Sequence, residues 1–490
     1  MTIKLLHQYA GLPDPFHARL APTPVARAMP IAINTSLGKR LGLDPQWLTS
    51  ADGLDVLAGN RVMPGSRPLA QAYAGHQFAN WVPQLGDGRA HLLGEIQAPD
   101  GRIVDLQLKG SGPTPFSRGG DGRSSIGPAV REYLATEAMA ALGVPTTRAL
   151  AVVSTGEQVL RDKPEPGGIL CRVASSHVRI GTFEYFARNG HAEHVQTLAD
   201  FVIDRHDPDL AEQPDRYLQL FDRVARRTTA LVAHWMSIGF VHGVMNTDNI
   251  AVSGETLDYG PFGFLDTFAP DTAFSYIDRR GRYAWSRQPA IAHWNLARLA
   301  ECLLPLFDSD PNQAIEKAND RLNRIPGDFE TEFHARLCRK IGLEPSDEAS
   351  ALALNLLQRM ADNAADMTLS FRALSHLQAE AGEDDLNARA LFNTPEEFDQ
   401  WAAEWRSVCL RDGRDQIERQ RQMQGVNPAF VLRNHLAQRA ADAAVNDQDF
   451  GPLHEMLRVF TRPFQDQPEF VPYQQPPKPE EVVANTFCGT

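Results

Sequence analysis

Cysteine is scarce in this 490-residue chain, and spacing pairs none of it: Cys171, Cys302, Cys338, Cys409 and Cys488 lie far apart, with no C-x-x-C. An odd, scattered set argues against a disulfide framework or a cysteine zinc site and fits reduced thiols in a cytosolic compartment. Long apolar runs are also lacking. No stretch approaches the roughly 18 residues that cross a bilayer. The opening MTIKLLHQYAGLPDPF has neither the apolar core nor the small-residue cleavage site of a secretory signal. The expectation is a cytoplasmic protein with no membrane partner. Basic charge is in short supply as well: 48 Lys and Arg stand against 61 Asp and Glu, a formal net charge of −13. That argues against a nucleic-acid binder, which needs a broad basic face, and leaves room for a local basic pocket around a small phosphorylated ligand. No solenoid period repeats along the chain. What is present, 43% hydrophobic and 22% charged residues, is ordinary for a soluble globular protein.

Residues 1–65 are rich in proline and turn formers, and few elements can be placed there. The run HLLGEIQA, a Pro99-Asp100-Gly101 turn and RIVDLQLK then read as a β-hairpin from His91 to Leu108. Ile103, Leu106 and Leu108 alternate imperfectly, so the register is left open. After Lys109 comes a loop dense in Gly, Ser and Pro, GSGPTPFSRGGDGRSSIG. A helix follows, with Pro128 near its first turn and Gly143 just past its end. The strand-like runs ALAVVST and GGILCRVA complete a β-rich region to about residue 178. Tyr217, Phe221, Val224, Leu231 and Trp235 then mark one face of a long amphipathic helix that stops at Gly239. Beyond Asp258 the pattern is mostly helical to about residue 465, and the last twenty residues read as an extended tail. The predicted class is α+β: a β-rich N-terminal lobe over 1–178, a larger helical lobe over 179–470 and a tail over 471–490. That order of elements is the one of a bilobal protein-kinase-like fold.

The segment FVHGVMNTDNIAVSGETLDYGPFGFLD carries the chemistry. Ile250–Val252 reads as a short strand, Ser253-Gly254-Glu255 as a turn, and Thr256-Leu257 as the return strand. Such a hairpin brings Asn249 and Asp258 to the same end, where an amide oxygen and a carboxylate make hard ligands suited to Mg²⁺. An isolated Asp there would more simply cap a turn; three polar residues on one hairpin after a Gly-terminated helix favour a metal. Asn249 follows His242 by seven positions, the frame of the kinase catalytic loop H-R-D-x-x-x-x-N. The position of the kinase base, however, holds Val244, which cannot accept a proton. Asp248 is the nearest carboxylate that can replace it. The Asp-Phe-Gly equivalent reads Asp258-Tyr259-Gly260.

Other residues suggest a phosphate cradle. Lys109 ends the second hairpin strand as the kinase β3 lysine does, and Glu132 or Glu137 on the following helix is its candidate partner, Glu132 being preferred. The tetrapeptide Gly-Asp-Gly-Arg occurs at Gly86–Arg89 and again at Gly120–Arg123, where paired glycines let backbone approach phosphate and an adjacent arginine supplies charge. Arg172 and Arg179, seven apart, can grip phosphate or form salt bridges across the boundary between the regions. His76, His177 and His234 lack metal-ligand spacing and suit core or surface roles.

With these residues in view, QAYAGHQFANWVPQLGDGRA, LQLKGSGPTPFSR, GDGRSSIGPAVREYL and HGVMNTDNIAVSGETLDYGPFGFLD resemble the selenoprotein O family of pseudokinase-derived protein adenylyltransferases. The likeness runs from about Gln71 to Pro270 and resumes at the tail. It implies a kinase-like fold that binds ATP in a flipped orientation and transfers AMP to Ser, Thr or Tyr hydroxyls of protein substrates. Matched by motif, Gly86, Gly88, Arg89, Lys109, Asp121, Gly122, Arg172, Arg179 and Asp258 would contact nucleotide. Asn249 and Asp258 would bind Mg²⁺ (or Mn²⁺), Asp248 would accept the proton, and Glu132 would pair with Lys109. Cys488 matches the family's C-terminal selenocysteine or cysteine position. The partner cysteine that some relatives carry beyond DYGPFGF is missing from TFAPDTAFSYID. An exposed thiol on a mobile tail is therefore expected.

Overall fold

A computed structural model of the chain describes residues 5–483 and residue 486. The strands are β1 (Leu5–Leu6), β2 (His17–Arg19), β3 (Met29–Ile33), β4 (Leu69–Gln71), a separate hairpin β5 (Gly75–Gln77) and β6 (Asn80–Val82), then β7 (Ala90–Gln97), β8 (Ile103–Lys109), β9 (Arg148–Leu160) and β10 (Pro164–Ala174). Outside the β5–β6 pair they form one antiparallel sheet in the order β2-β4-β7-β8-β10-β9-β3, with β1 on β7. The predicted hairpin is β7–β8. Its register slips between Leu92 and Gly94, and the sheet is covered on both faces, so a clean polar-apolar alternation is not required of it. Leu106, Leu108, Cys171 and Val173 pack on the outer side. The period of two therefore turns Gln107, Lys109 and Arg172 to the inner side, with Arg172 opposite Gln107 and Leu170 opposite Lys109.

The outer face is covered by three short helices, Thr35–Arg40, Pro45–Leu48 and Ala51–Leu57, where the sequence showed few elements. Each is too short for a 3.6-residue period to emerge. Each nevertheless starts at a side-chain cap, Asn34, Asp44 or Ser50, which accepts a hydrogen bond from the first turn.

Helix α1 (Ile126–Ala141) lies on the inner face, with Pro128 in its first turn and Gly143 beyond its end at φ +79°. Nearly all its side chains are buried, because it packs against β9 and β10 on one side and two late helices, Asn434–Asp442 and Gly451–Phe460, on the other. Helix α2 (Ile180–Arg188) and the amphipathic α3 (Arg216–Ser237) follow, and α3 ends before Gly239 at φ +73° as its pattern predicts. Strands β11 (Phe240–Val241) and β12 (Gly263–Phe264) pair at the base of the 242–260 loop. The predicted 250–257 hairpin closes through a single bridge, Ile250 to Thr256. It grows no longer ladder because Ala251 bridges Arg179 and Thr256 bridges Thr146. From Gln288 onward the chain is mainly helical. Short 3₁₀ turns occupy Pro468–Tyr473 and Pro479–Glu481, and the Thr486 amide donates to the Phe274 carbonyl at 2.8 Å.

Cys171, Cys302, Cys338 and Cys409 are buried free thiols; Cys488 lies outside the described residues. Among the described residues no helix is long and apolar enough to cross a membrane.

Thr256 links these parts. Its hydroxyl accepts from the buried Trp235 indole at 2.9 Å and donates to the Pro145 carbonyl at 3.0 Å. Thr256→Val keeps the shape and orphans the buried Trp235 indole N–H, while the Pro145 carbonyl keeps the Thr256 backbone amide at 2.9 Å. We expect it to lower unfolding stability by about 1–3 kcal/mol, read in urea by tryptophan fluorescence, with Thr256→Ser restoring most of the loss.

Candidate active site

Every position singled out in the sequence as a site residue lines one cavity of about 560 Å³, between the inner face of the sheet, the start of α1 and the 242–260 loop. That volume is in the range of small-ligand sites. At its floor is Asp258, held in a left-handed conformation at φ +59°, an uncommon backbone state for a residue with a side chain. Three cations converge on its carboxylate. Lys109 Nζ lies 3.0 Å from Oδ1, an Arg172 guanidinium nitrogen donates to the same oxygen, and Arg179 reaches Oδ2 at 2.8 Å. Burial opposes ionisation of Asp258, but Arg172, Lys109 and Arg179 together hold its carboxyl well below the usual carboxylate range.

Glu132 is the second anion of this cluster, 2.7 Å from Lys109 and 2.7 Å from Arg172. Glu137, five residues on, points elsewhere and pairs with Arg148 at 2.5 Å. Arg179 also donates to the Asp248 carbonyl at 2.7 Å and lies over the Tyr73 ring, 4.4 Å from its centroid. Arg172 and Arg179 are thus both in salt bridges, and both line the cavity.

Asp248 sits in the 3₁₀ turn Thr247–Asn249, and burial pushes its carboxyl up to about 6, against the opposing hydrogen bond from Gln77 and the charge of Arg179. Its Oδ2 accepts from the Gln77 amide at 3.1 Å. The Asn249 amide nitrogen donates to the Val244 carbonyl at 3.0 Å, and its Oδ1 has no hydrogen-bond partner among the described residues. With Asp258 that oxygen makes a hard-oxygen pair whose chemistry fits Mg²⁺. His242 holds the loop in place: its Nε2 meets the Leu257 carbonyl at 2.9 Å, while its Nδ1 accepts from the Val244 amide at 3.4 Å.

The glycines of the cradle act through close packing. A Cβ on Gly86, at φ +71°, would fall 2.3 Å from the Phe116 ring, and one on Gly122, at φ +64°, would fall 2.2 Å from the Gly112 backbone. A Cβ on Gly88 would come within 2.8 Å of the Phe116 carbonyl. Arg89 lies in the lining beside them. Asp121 is at the exposed rim, where its carboxylate accepts from the Arg123 amide at 2.9 Å and pairs with Arg161 at 2.9 Å. It also lines the cavity. The histidines take structural places: His76 meets Glu184 at 2.6 Å and His177 meets Asp105 at 3.0 Å, all buried.

Sequence reasoning missed Asp87, Gln107 and Gln77. Asp87 is buried, 3.9 Å from Arg179, and accepts from the Gln71 amide and the Gln107 side chain, each at 3.1 Å. Its place between Gly86 and Gly88 was visible, yet its partners come from other strands and from beyond α1. Nothing local marks them.

The family model described as protein adenylyltransferase SelO matches residues 1–461. Curated relatives named protein nucleotidyltransferase YdiU align along nearly the whole chain. The protein from Alkalilimnicola ehrlichii is 55% identical over 485 residues, covering 99% of this chain and 98% of its own. Those from Rhodopseudomonas palustris and Methylorubrum extorquens are each 53% identical, with the same coverage. With the family model spanning the sheet, the cavity and most of the helices, this chain belongs to the protein adenylyltransferase SelO family.

Proposed function

We propose that the chain transfers AMP from ATP to hydroxyl side chains of proteins, Ser, Thr or Tyr, and releases pyrophosphate. The observation that carries this reading is the pairing of a cation-ringed Asp258 with a buried Asp248, in a loop whose kinase base position is Val244. The acceptor oxygen attacks the α-phosphorus, the bond from that phosphorus to the bridging oxygen of the β-phosphate breaks, and the hydroxyl proton passes to Asp248. Its raised affinity for protons suits a general base. Lys109, Arg172 and Arg179 bind the triphosphate and neutralise charge on the transferring and leaving groups. Glu132 keeps Lys109 and Arg172 oriented. Gly86, Gly88 and Gly122 let the cavity wall close around the nucleotide, with Arg89 beside it, and Asp121 orders the rim. Asn249 and Asp258 would hold Mg²⁺, which when bound supplies further charge neutralisation to the phosphates. In this reading residues 1–178 and 179–470 are the two lobes of a kinase-like fold that meet at the cavity, with 471–490 as the tail.

Incubation with ATP labelled at the α or the γ phosphorus, with a Ser/Thr/Tyr peptide library as acceptor, tests the reaction. We expect stable peptide labelling from the α-labelled nucleotide only, with an AMP-sized mass gain. Labelling from the γ position alone would make the chain a kinase and overturn the proposal.

Asp258→Ala should abolish turnover and remove the Mg²⁺-dependent part of ATP affinity. Binding without metal should persist, because three cations lose their internal counter-charge. Calorimetry with and without Mg²⁺ reads this directly, and wild-type Mg²⁺ dependence would sink the metal assignment.

Asp248→Asn should instead lower kcat by roughly 10²–10⁴-fold while ATP affinity changes little, since a base acts on the transition state more than on bound nucleotide. Single-turnover kinetics beside equilibrium binding separate the two effects; a near-normal rate would return Asp248 to a turn-capping role.

A further inference from the structure

The β5–β6 hairpin is turned by Phe78 and Ala79, at φ +50° and +65°. Two-residue turns with both φ positive ordinarily use Asn-Gly, because a side chain strains that backbone. The catalytic loop holds this turn in place. The Phe78 amide donates to Asn246 Oδ1 at 3.0 Å, and the Tyr283 hydroxyl, whose ring packs on Phe78, donates to the same oxygen at 2.5 Å. One residue back, Gln77 Nε2 donates to Asp248 Oδ2 at 3.1 Å, and the His76 amide donates to Thr247 Oγ1 at 2.7 Å. Three successive residues, 76–78, thus bond three successive residues of the catalytic loop, 246–248. From behind, Glu184 on α2 accepts from the Thr247 hydroxyl at 2.5 Å and meets His76 Nδ1 at 2.6 Å, which closes a ring of contacts.

Within this arrangement Asp248 is held by little else. Its Oδ1 is buried without a hydrogen-bond partner. A Cβ on Gly75 would lie 2.6 Å from that oxygen, so the β5 backbone itself packs against the carboxylate. Among the described residues, Gln77 supplies the one side-chain hydrogen bond that Asp248 receives. Carboxylate torsions are broad and two-fold, so a single donor decides the plane in which the group sits.

We propose that Gln77 is a positioning residue for AMP transfer, fixing the Asp248 carboxylate toward the acceptor hydroxyl, with the β5–β6 hairpin as the template that holds the catalytic loop. The inference rests on Asp248 as proton acceptor. Gln77 touches neither metal ligand and carries no charge, so its removal acts on the geometry of the transfer and not on nucleotide affinity. A base displaced by about 1 Å can cost on the order of 10²-fold in rate.

The test compares Gln77→Leu, and Gln77→Met should the first fold poorly, with the full wild-type chain, using α-labelled ATP and a Ser/Thr/Tyr peptide library. We expect kcat to fall about 10- to 100-fold with KM for ATP within about twofold, and no further loss when the change is added to Asp248→Asn. A kcat within twofold of wild type, a rise in KM alone, or an equal additional loss in the Asp248→Asn background would each overturn the positioning role. Full turnover by Asp248→Asn itself would instead remove the base assignment on which the proposal stands.

Discussion

Lys109 from β8, Arg172 from β10 and Arg179 from the start of α2 all converge on the carboxylate of Asp258. Two guanidinium groups and an ammonium so close together repel one another strongly in a partly buried space, and a single lost counter-charge leaves desolvated cations without compensation. Asp258 and Glu132 supply that compensation from two further elements, the 242–260 loop and α1. The sheet, the first long helix and the catalytic loop are thereby drawn to one point. Whatever anion enters the cavity meets cations already gathered and oriented there. That pre-organisation is what a phosphate-transfer site needs.

The surrounding packing serves the same point. The alternation of β8 and β10 sends Leu106, Leu108 and Cys171 outward and Lys109 and Arg172 inward, so the outer apolar cluster and the inner charged cluster are two faces of one set of strands. Burial of α1 on two sides keeps Glu132 from swinging away. His242 and Thr256 tie the loop that bears Asp248, Asn249 and Asp258 to Leu257, Trp235 and Pro145. Apolar contacts provide the rigidity, and the ionic cluster uses it.

Asp248 stands apart from this cluster in its electrostatics. Asp258 is stabilised as an anion by three cations, whereas Asp248 has one amide donor, the longer reach of Arg179 and a buried setting. The two neighbouring carboxylates are thus displaced in opposite directions, Asp258 held charged by its cations and Asp248 shifted toward its protonated form by burial. In an ordinary kinase loop the base falls two positions after the histidine. Here Val244 fills that place, and the carboxylate next to Asn249 lines the cavity and accepts from Gln77 of the β5–β6 hairpin.

Local pattern alone determined a good deal. The β7–β8 turn, the ends of α1 and α3 at Gly143 and Gly239, and the seven-residue spacing from His242 to Asn249 are short-range features, governed by backbone sterics and side-chain period. The long, unusual strings around the two Gly-Asp-Gly-Arg repeats and the 242–266 segment carried the family. The burial of Asp87, the short helices before residue 60 and the grip of Gln77 on Asp248 were decided only in three dimensions. Each depends on contacts between segments far apart in the chain. Burial, charge pairing and hydrogen-bond direction arise there from how whole elements pack, and no local period or spacing records them.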